Sequence, residues 1–416
     1  MHVDINSCFA TIEQQANPFL RGKPVAVAAY TTESGCILTA SYEAKRLGVK
    51  TGMQVREGKR LCRNLIVLPP DPDKYRVVNR KLTALLGSYT DALSVESIDE
   101  MVLSLKNTPK ISMPNDKCQM TNRKILLRMI DIAKEIKLRI KREIGDWITV
   151  SIGISTNRYL AKVASGLQKP DGLQFLTKEN IRNVFAKLQL EDLTGIKAGN
   201  AGRLRNAGIK TPTDLLSAPP TLLAHAFHSI LGYHWCLRLH GWEDGGMYRD
   251  FYEEKEPQKS FGQSYALPAP YRPDDPRLWQ IMTQLTIKMG RRLREDGFTA
   301  MGVGISLLFA DHTHWHTQQK LKEAIFIDHD FYTHYRLFLK GAPVTPVRLL
   351  AIYCYQLTKN LSVQPSLFPE ENKKAELTAA IDAVAERFGD FTVTTGRMLS
   401  MERKVLDRIA FGKAGI

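Results

Sequence analysis

The apolar and polar positions of this chain switch several times between two-residue and helical spacing, which predicts strands and helices in alternation. Val3 and Ile5 flank Asp4 directly after Met1 and His2, so the first strand should be short. Residues 24–30 (PVAVAAY) and 35–40 (GCILTA) read as short strands bounded by Pro and Gly, and Tyr42–Leu47 as a helical turn stopped at Gly48. From Lys74, YRVVNRKLTALLGSYTDAL carries helix spacing, and VESIDEMVLSL reads as a strand. Residues 107–121 are polar, contain two prolines and read as a loop. Met129, Ile132, Ala133, Ile136, Ile140 and Ile144 line one stripe of a long helix that Gly145 should end. WITVSIGIS alternates as a strand and RYLAKVASGL follows as a helix, so this half predicts an α/β sandwich.

Residues 173–240 read as short-looped helices, and a hydrophilic linker ends at Gln258. Beyond it, FGQSYALP, PRLWQIMTQLTIKMGRRLREDG, VGISLLFA, HTHWHTQQKLKEAIFI, DFYTHYRLFLKG and VRLLAIYCYQL predict a separate β-α-β-β-α-β unit. Residues 373–388 read as one more helix before a basic end.

Composition narrows the class. A chain of 416 residues exceeds the usual domain of about 100–200 and should fold as several units. Hydrophobic residues at 44% and charged ones at 24% suit a soluble globular protein. A net charge of +15 favours a polyanionic partner, nucleic acid first. The six cysteines lie far apart without a CxxC pair, which argues against a disulfide framework or a cysteine zinc site and fits a reducing cytoplasm. No apolar run reaches the roughly 18 residues a spanning helix needs, and MHVDINSCFA lacks the pattern of a signal peptide, so the expectation is a protein neither secreted nor membrane-embedded.

Asp4 between Val3 and Ile5, and Asp99 and Glu100 within SIDEMVL, are carboxylates in apolar strand contexts. Such groups are costly unless paired, and three of them meeting would suit Mg²⁺, which prefers oxygen ligands. The alternative is that each sits alone at an exposed strand end. Adjacent residues of a regular strand face opposite ways, so Asp99 and Glu100 can share a site only at a strand end, bulge or turn.

The blocks HVDINSCFATIE, LTASYEAKRLGVKTGM, SIDE and VSIGISTNRYLAKVASGLQKPDG stand in the order and about the spacing found in Y-family translesion DNA polymerases. The chain resembles that family, most closely its polymerase IV-like branch, to about residue 360. The resemblance implies a multidomain α/β fold, a right-hand-like polymerase: a mixed-sheet palm from residues 1–14 and 73–172, small fingers over 15–72 and a helical thumb over 173–240. A linker over 241–258, a β-α-β-β-α-β little finger over 259–358 and a tail over 359–416 would follow. It further implies that Asp4, Asp99 and Glu100 are catalytic and, with a carbonyl near Ile5, hold two Mg²⁺ ions. Thr39, Tyr42, Lys45 and Lys162 would grip the incoming deoxynucleoside triphosphate. Lys45 departs from the Arg of many relatives, which replaces a bidentate fork by a point charge. Phe9 would be the steric gate under the sugar.

By the same resemblance, Leu193–Ile209 is a helix-hairpin-helix whose Gly195, Lys197 and Gly199 would meet DNA phosphate. Lys197 stands where a second hairpin glycine is usual, which predicts strain in the turn. Gln364, Leu367 and Phe368 fit the glutamine-x-x-leucine-phenylalanine pattern that docks such polymerases on a sliding clamp. His312, His314 and His316 alternate and on one strand would share a face, as a zinc site or as a polar edge near DNA. The implied activity is template-directed addition of deoxynucleotides to a primer 3′ end on primer-template DNA, without proofreading and with low fidelity, by a cytoplasmic monomer. A catalytically degenerate DNA-binding or clamp-associated paralogue, and a template-independent nucleotidyl enzyme on a palm-like sheet, stay open at this level. The catalytic reading would fail if Asp4 lay far from the other two acids, or if salt bridges neutralised them in a closed interior.

Overall fold

The computed structural model describes residues 1–105, 122–243, 258–359 and 369–399. They fall into two compact units, one of residues up to 243 and one of residues from 258. The first unit runs β1 (His2–Ile5), α1 (Cys8–Ala16), β2 (Val25–Ala28), β3 (Ile37–Ala40), α2 (Tyr42–Arg46), α3 (Val55–Leu61), β4 (Ile66–Leu68), α4 (Pro72–Gly87), β5 (Leu93–Val95), β6 (Glu100–Leu103) and α5 (Asn122–Glu143). It continues through β7 (Val150–Ile154), α6 (Arg158–Leu167), β8 (Leu173–Phe175), α7 (Ile181–Phe185), α8 (Ala198–Asn206), α9 (Pro212–Ser217), α10 (Pro220–Phe227) and α11 (Leu231–Leu239).

Its main sheet has the order β5-β6-β1-β7-β8, antiparallel except for the β7/β8 pair. Strand alternation divides β1 cleanly. Val3 and Ile5 join Met101, Leu103, Ile152 and Ile154 in a core shared with Leu82, Leu86, Ile132, Ile136 and Ile140 of α4 and α5. His2 and Asp4 point to the opposite face, which α6 covers in part. Gly153 makes that cover possible, because a Cβ there would overlap the Ala161 carbonyl and the Ser165 amide of α6. The helix starts where the sequence expects, with the Asn157 side chain accepting from Leu160 N–H at 2.8 Å.

Three expectations change. VESIDEMVLSL is a hairpin, not one strand: Glu96 and Ser97 N–H both donate to the Glu100 carbonyl, at 3.0 and 3.2 Å, and Ser97 Oγ accepts from Glu100 N–H at 3.1 Å. The strand within WITVSIGIS does not alternate in burial, since Val150–Ile154 is buried on both faces by helices. Residues 173–175 are not helical but form β8 beside β7, so the sheet passes the expected boundary at 172. A smaller sheet, β3-β2-β4, packs with α3 around Ala26, Ala28, Ile37 and Val55. The polar loop expected at 107–121 lies outside the described residues.

The second unit is β9 (Ser260–Tyr271), α12 (Pro276–Glu295), β10 (Phe298–Phe309), β11 (His314–Ile325), α13 (Asp328–Lys340), β12 (Val347–Lys359) and α14 (Pro369–Phe388). The expected β-α-β-β-α-β order holds, in an antiparallel sheet β11-β10-β12-β9. Apolar residues of α12 and α13, such as Met282, Met289, Phe331 and Tyr335, are buried together with Val303, Ile305, Ile352 and Cys354 of the strands. Helix α14 is tied down by Arg294, which bonds Asp382 at 2.6 Å and Asp328 at 2.8 Å. His312 sits in the β10/β11 turn at φ 67°, so only His314 and His316 lie on the strand, and the three do not share a face.

Candidate active site

The sheet register brings together what the chain keeps apart. Asp4 is paired with Glu100 across β1 and β6, and Ile5 N–H donates to the Asp99 carbonyl at 2.9 Å. Asp99 is the last residue of the hairpin turn, one before β6, so strand alternation does not bind it. Ser97 Oγ donates to Asp99 Oδ1 at 2.5 Å, and the same oxygen accepts from Glu100 N–H. One serine thus fixes the turn that presents both acids.

Two of the three carboxylates carry lysines. Lys162 Nζ, one turn into α6, lies 2.6 Å from Glu100 Oε2. Lys169 Nζ lies 2.7 Å from Asp4 Oδ1. Burial pushes the Asp4 carboxyl up to about 6; Lys169 pulls it back, and the charges of Asp99 and Glu100 add to the rise. The interior is not closed, for the Lys162 and Lys169 side chains are 31% and 34% exposed. Among the described residues, no three His, Cys, Asp or Glu side chains converge tightly enough to grip a metal ion as they stand. The expected convergence is therefore one of backbone register, with lysines holding two of the carboxylates. The donor set still fits a hard divalent cation: Asp4 and Glu100 face each other in register, Asp99 adjoins them, and all three offer carboxylate oxygens.

A second group of side chains flanks the acids. Lys45 Nζ donates to Ser7 Oγ at 2.8 Å and stands 4.8 Å over the Tyr42 ring. Burial lowers the Lys45 pKa, Lys169 lowers it further and Asp4 opposes them. Burial and then Asp4 raise the Tyr42 hydroxyl to about 12. Tyr42 and Lys45 thus lie within electrostatic reach of Asp4, which Lys169 contacts directly. Ser7 holds its place through a left-handed backbone at φ 47°, ahead of α1. Thr39 is buried on β3 opposite Val27, three residues before Tyr42. Phe9 has no exposed surface; its ring stacks on Tyr75 at 4.4 Å and 11°, and Tyr75 OH donates to Glu13 at 2.8 Å. As the side chains stand, Phe9 thus offers no surface to a sugar, and a gate there requires a neighbouring side chain to move aside.

Sequence reasoning missed Lys169, Ser7, Ser97 and His2. Lys169 stood in a quoted block, QKPDG, but nothing local says that it reaches a strand at the other end of the unit. Ser97 had a signal, a serine two residues before an acid in a turn. Elsewhere, Gly195 takes φ 87° and its carbonyl accepts from Asn200 Nδ2 at 3.0 Å. Lys197 is extended at φ −118°, directly before α8, so the expected strain is absent: that position needs no glycine. Gly199 lies within α8 with open space beside it. Gln364, Leu367 and Phe368 lie outside the described residues.

Comparison with known proteins identifies the family of the chain. The sequence profile of the impB/mucB/samB family matches residues 3–166, and that of its C-terminal domain matches residues 258–367. The chain is 31% identical to DNA polymerase IV 1 of Bacillus subtilis over 99% of its own length and 96% of that protein. It is 30% identical to DNA polymerase IV 1 of Halalkalibacterium halodurans over 97% and 94%. Among solved structures, the Y-family DNA polymerase chimera Dbh-Dpo4(243-245)-Dbh shares the fold at a TM-score of 0.69 and 24% identity, covering 86% of this chain and 99% of that one. Among the described residues, no helix is long and apolar enough to cross a membrane. The chain belongs to the Y family of DNA polymerases, metal-dependent translesion enzymes, and resembles their polymerase IV branch.

Proposed function

We propose that the chain extends a primer 3′ end by one deoxynucleotide at a time opposite a template base, releasing pyrophosphate. The observation that carries this reading is the register of Asp4 against Glu100, with Asp99 beside them and a lysine on each flank. Asp4, Asp99, Glu100 and the Ile5 carbonyl would hold two Mg²⁺ ions; when bound, these supply acidification of the primer hydroxyl and neutralisation of charge on the phosphates. The chain's own residues bind and orient. Lys162 and Lys169 leave their carboxylates for triphosphate oxygens, a charge-for-charge exchange that keeps every buried ion compensated. Lys45 and Tyr42 complete the grip, Thr39 closes the side toward β3, and Phe9 excludes a 2′-hydroxyl.

The helix-hairpin-helix at Gly195, Lys197 and Gly199 would hold duplex phosphate, and the basic second unit would lie along the backbone, where Lys and Arg outnumber acids. Small fingers would tolerate damaged template bases at low fidelity, without proofreading. Gln364, Leu367 and Phe368 would dock a sliding clamp, and the enzyme would work as a cytoplasmic monomer. The deciding experiment offers each deoxynucleotide singly, with Mg²⁺, on four primer-templates that differ in the templating base. Incorporation that follows the template supports the reading. Incorporation that ignores it points to a template-independent nucleotidyl enzyme, and none from folded protein to a non-catalytic DNA-binding relative.

A further inference from the structure

His2 is a polar residue that the mechanism above does not use. It is 1% exposed on β1, two residues before Asp4 and on the same face. Its Nδ1 lies 3.1 Å from Ser165 Oγ on α6. Its Nε2 has no hydrogen-bond partner and stands 3.8 Å from Glu100 Oε2, the oxygen that Lys162 holds. A buried polar atom left unpaired destabilises the fold, and here the missing distance is only about 1 Å beyond an ordinary N–H···O bond.

Ser165 decides which ring nitrogen carries the proton. Its single hydroxyl hydrogen can go to the Lys162 carbonyl, 2.8 Å away, or to His2 Nδ1. In the first case His2 Nδ1 must donate, and a bare Nε2 lone pair faces the Glu100 carboxylate. In the second, Nε2–H points at that carboxylate. The Lys162 carbonyl already belongs to the helical ladder of α6, so it can release the serine. The carboxylate's charge favours the second arrangement.

We propose that His2, with its tautomer set by Ser165 and its Nε2–H aimed at Glu100, is a positioning residue that keeps this carboxylate oriented when Lys162 leaves it. This rests on the proposed role of Glu100 as a metal ligand. His2 touches neither nucleotide nor metal; it offers Glu100 a neutral donor that cannot follow the phosphates. Partners of this kind commonly change metal affinity by about 10–100-fold when removed.

The test uses the full chain labelled with ¹⁵N-histidine, free of metal and nucleotide, so it does not depend on polymerase activity. The His2 resonances are assigned by their loss in His2→Gln, or by their shift in Ser165→Ala should His2→Gln fail to fold. The Nε2–H tautomer is expected, weakened in Glu100→Gln; an Nδ1–H tautomer in the wild type overturns the proposal. Mn²⁺ titration followed by electron paramagnetic resonance then compares wild type with folded His2→Gln, or with Ser165→Ala should His2→Gln not fold. A loss of affinity of about tenfold is expected, and unchanged affinity overturns the proposal. Failure of primer extension with both results as expected would count against the polymerase reading alone.

Discussion

Lys169 Nζ lies 2.7 Å from Asp4 Oδ1, and this contact joins the loop after α6 to the strand that opens the chain. It is the pair that nucleotide must break on the proposed reading. Lys169→Met should therefore lower kcat/KM for the incoming nucleotide by about 10–100-fold, the worth of a charged hydrogen bond, with most of the loss in KM. Steady-state kinetics at saturating DNA decide it. An unchanged KM would place Lys169 outside the site.

Asp4 should weaken the fold at neutral pH. Its carboxyl titrates near 6 in the folded protein against 3.8 for the free group. Because the folded value is raised, its contribution favours folding fully below 3.8 and is lost as pH climbs through 6. The resulting cost above pH 7 is about 3 kcal/mol, at 1.36 kcal/mol per unit. Asp4→Asn should accordingly raise the melting temperature at pH 8, with a gain that shrinks as pH falls below 6. Melting curves of both proteins across pH 4–8 check this, and a variant less stable at pH 8 would contradict it.

Gly153 is the point where α6, and with it Lys162 and Ser165, rests on the sheet. Gly153→Ala places a methyl group into the Ala161 carbonyl and the Ser165 amide, both of them backbone. Overpacking against backbone should cost about 3 kcal/mol, read by urea unfolding. A loss within error would mean that α6 does not lie so close.

In the second unit, Arg294 of α12, at 12% side-chain exposure, joins Asp328 of α13 to Asp382 of α14. Burial raises the Asp328 carboxyl even with the guanidinium beside it. Arg294→Met should destabilise the unit by about 3 kcal/mol, because it strands buried charge, and should expose α14 to limited proteolysis. Wild-type stability together with wild-type cleavage would contradict this.

Much of this architecture could be read from residues alone, for identifiable reasons. Helix α6 was legible to the residue, because Asn157 caps it and the apolar spacing starts at once. The second unit was legible because its strands are long, up to the thirteen residues of Val347–Lys359. Strand β8 was not, since three residues carry too little pattern to separate a strand from a helix. The β5/β6 hairpin was missed because VESIDEMVLSL holds no Gly, Pro or Asn to mark a turn, while the bonds that turn the chain run through Glu100. At the site, the acids were legible as apolar-flanked carboxylates. Their lysines were not, since Asp4 and Lys169 meet only through the sheet and the fall of the chain after α6.

The central claim is that Asp99, Glu100 and Asp4 form one catalytic centre. Its most direct test is single-turnover incorporation by the wild type and by Asp99→Ala, with primer-template affinity measured in parallel. A carboxylate that supports charge on the reacting phosphate should cost the rate at least about a hundredfold when removed, while DNA affinity stays within a factor of about two, since the charged DNA contacts lie elsewhere. An Asp99→Ala protein that extends primers at the wild-type rate would contradict the account.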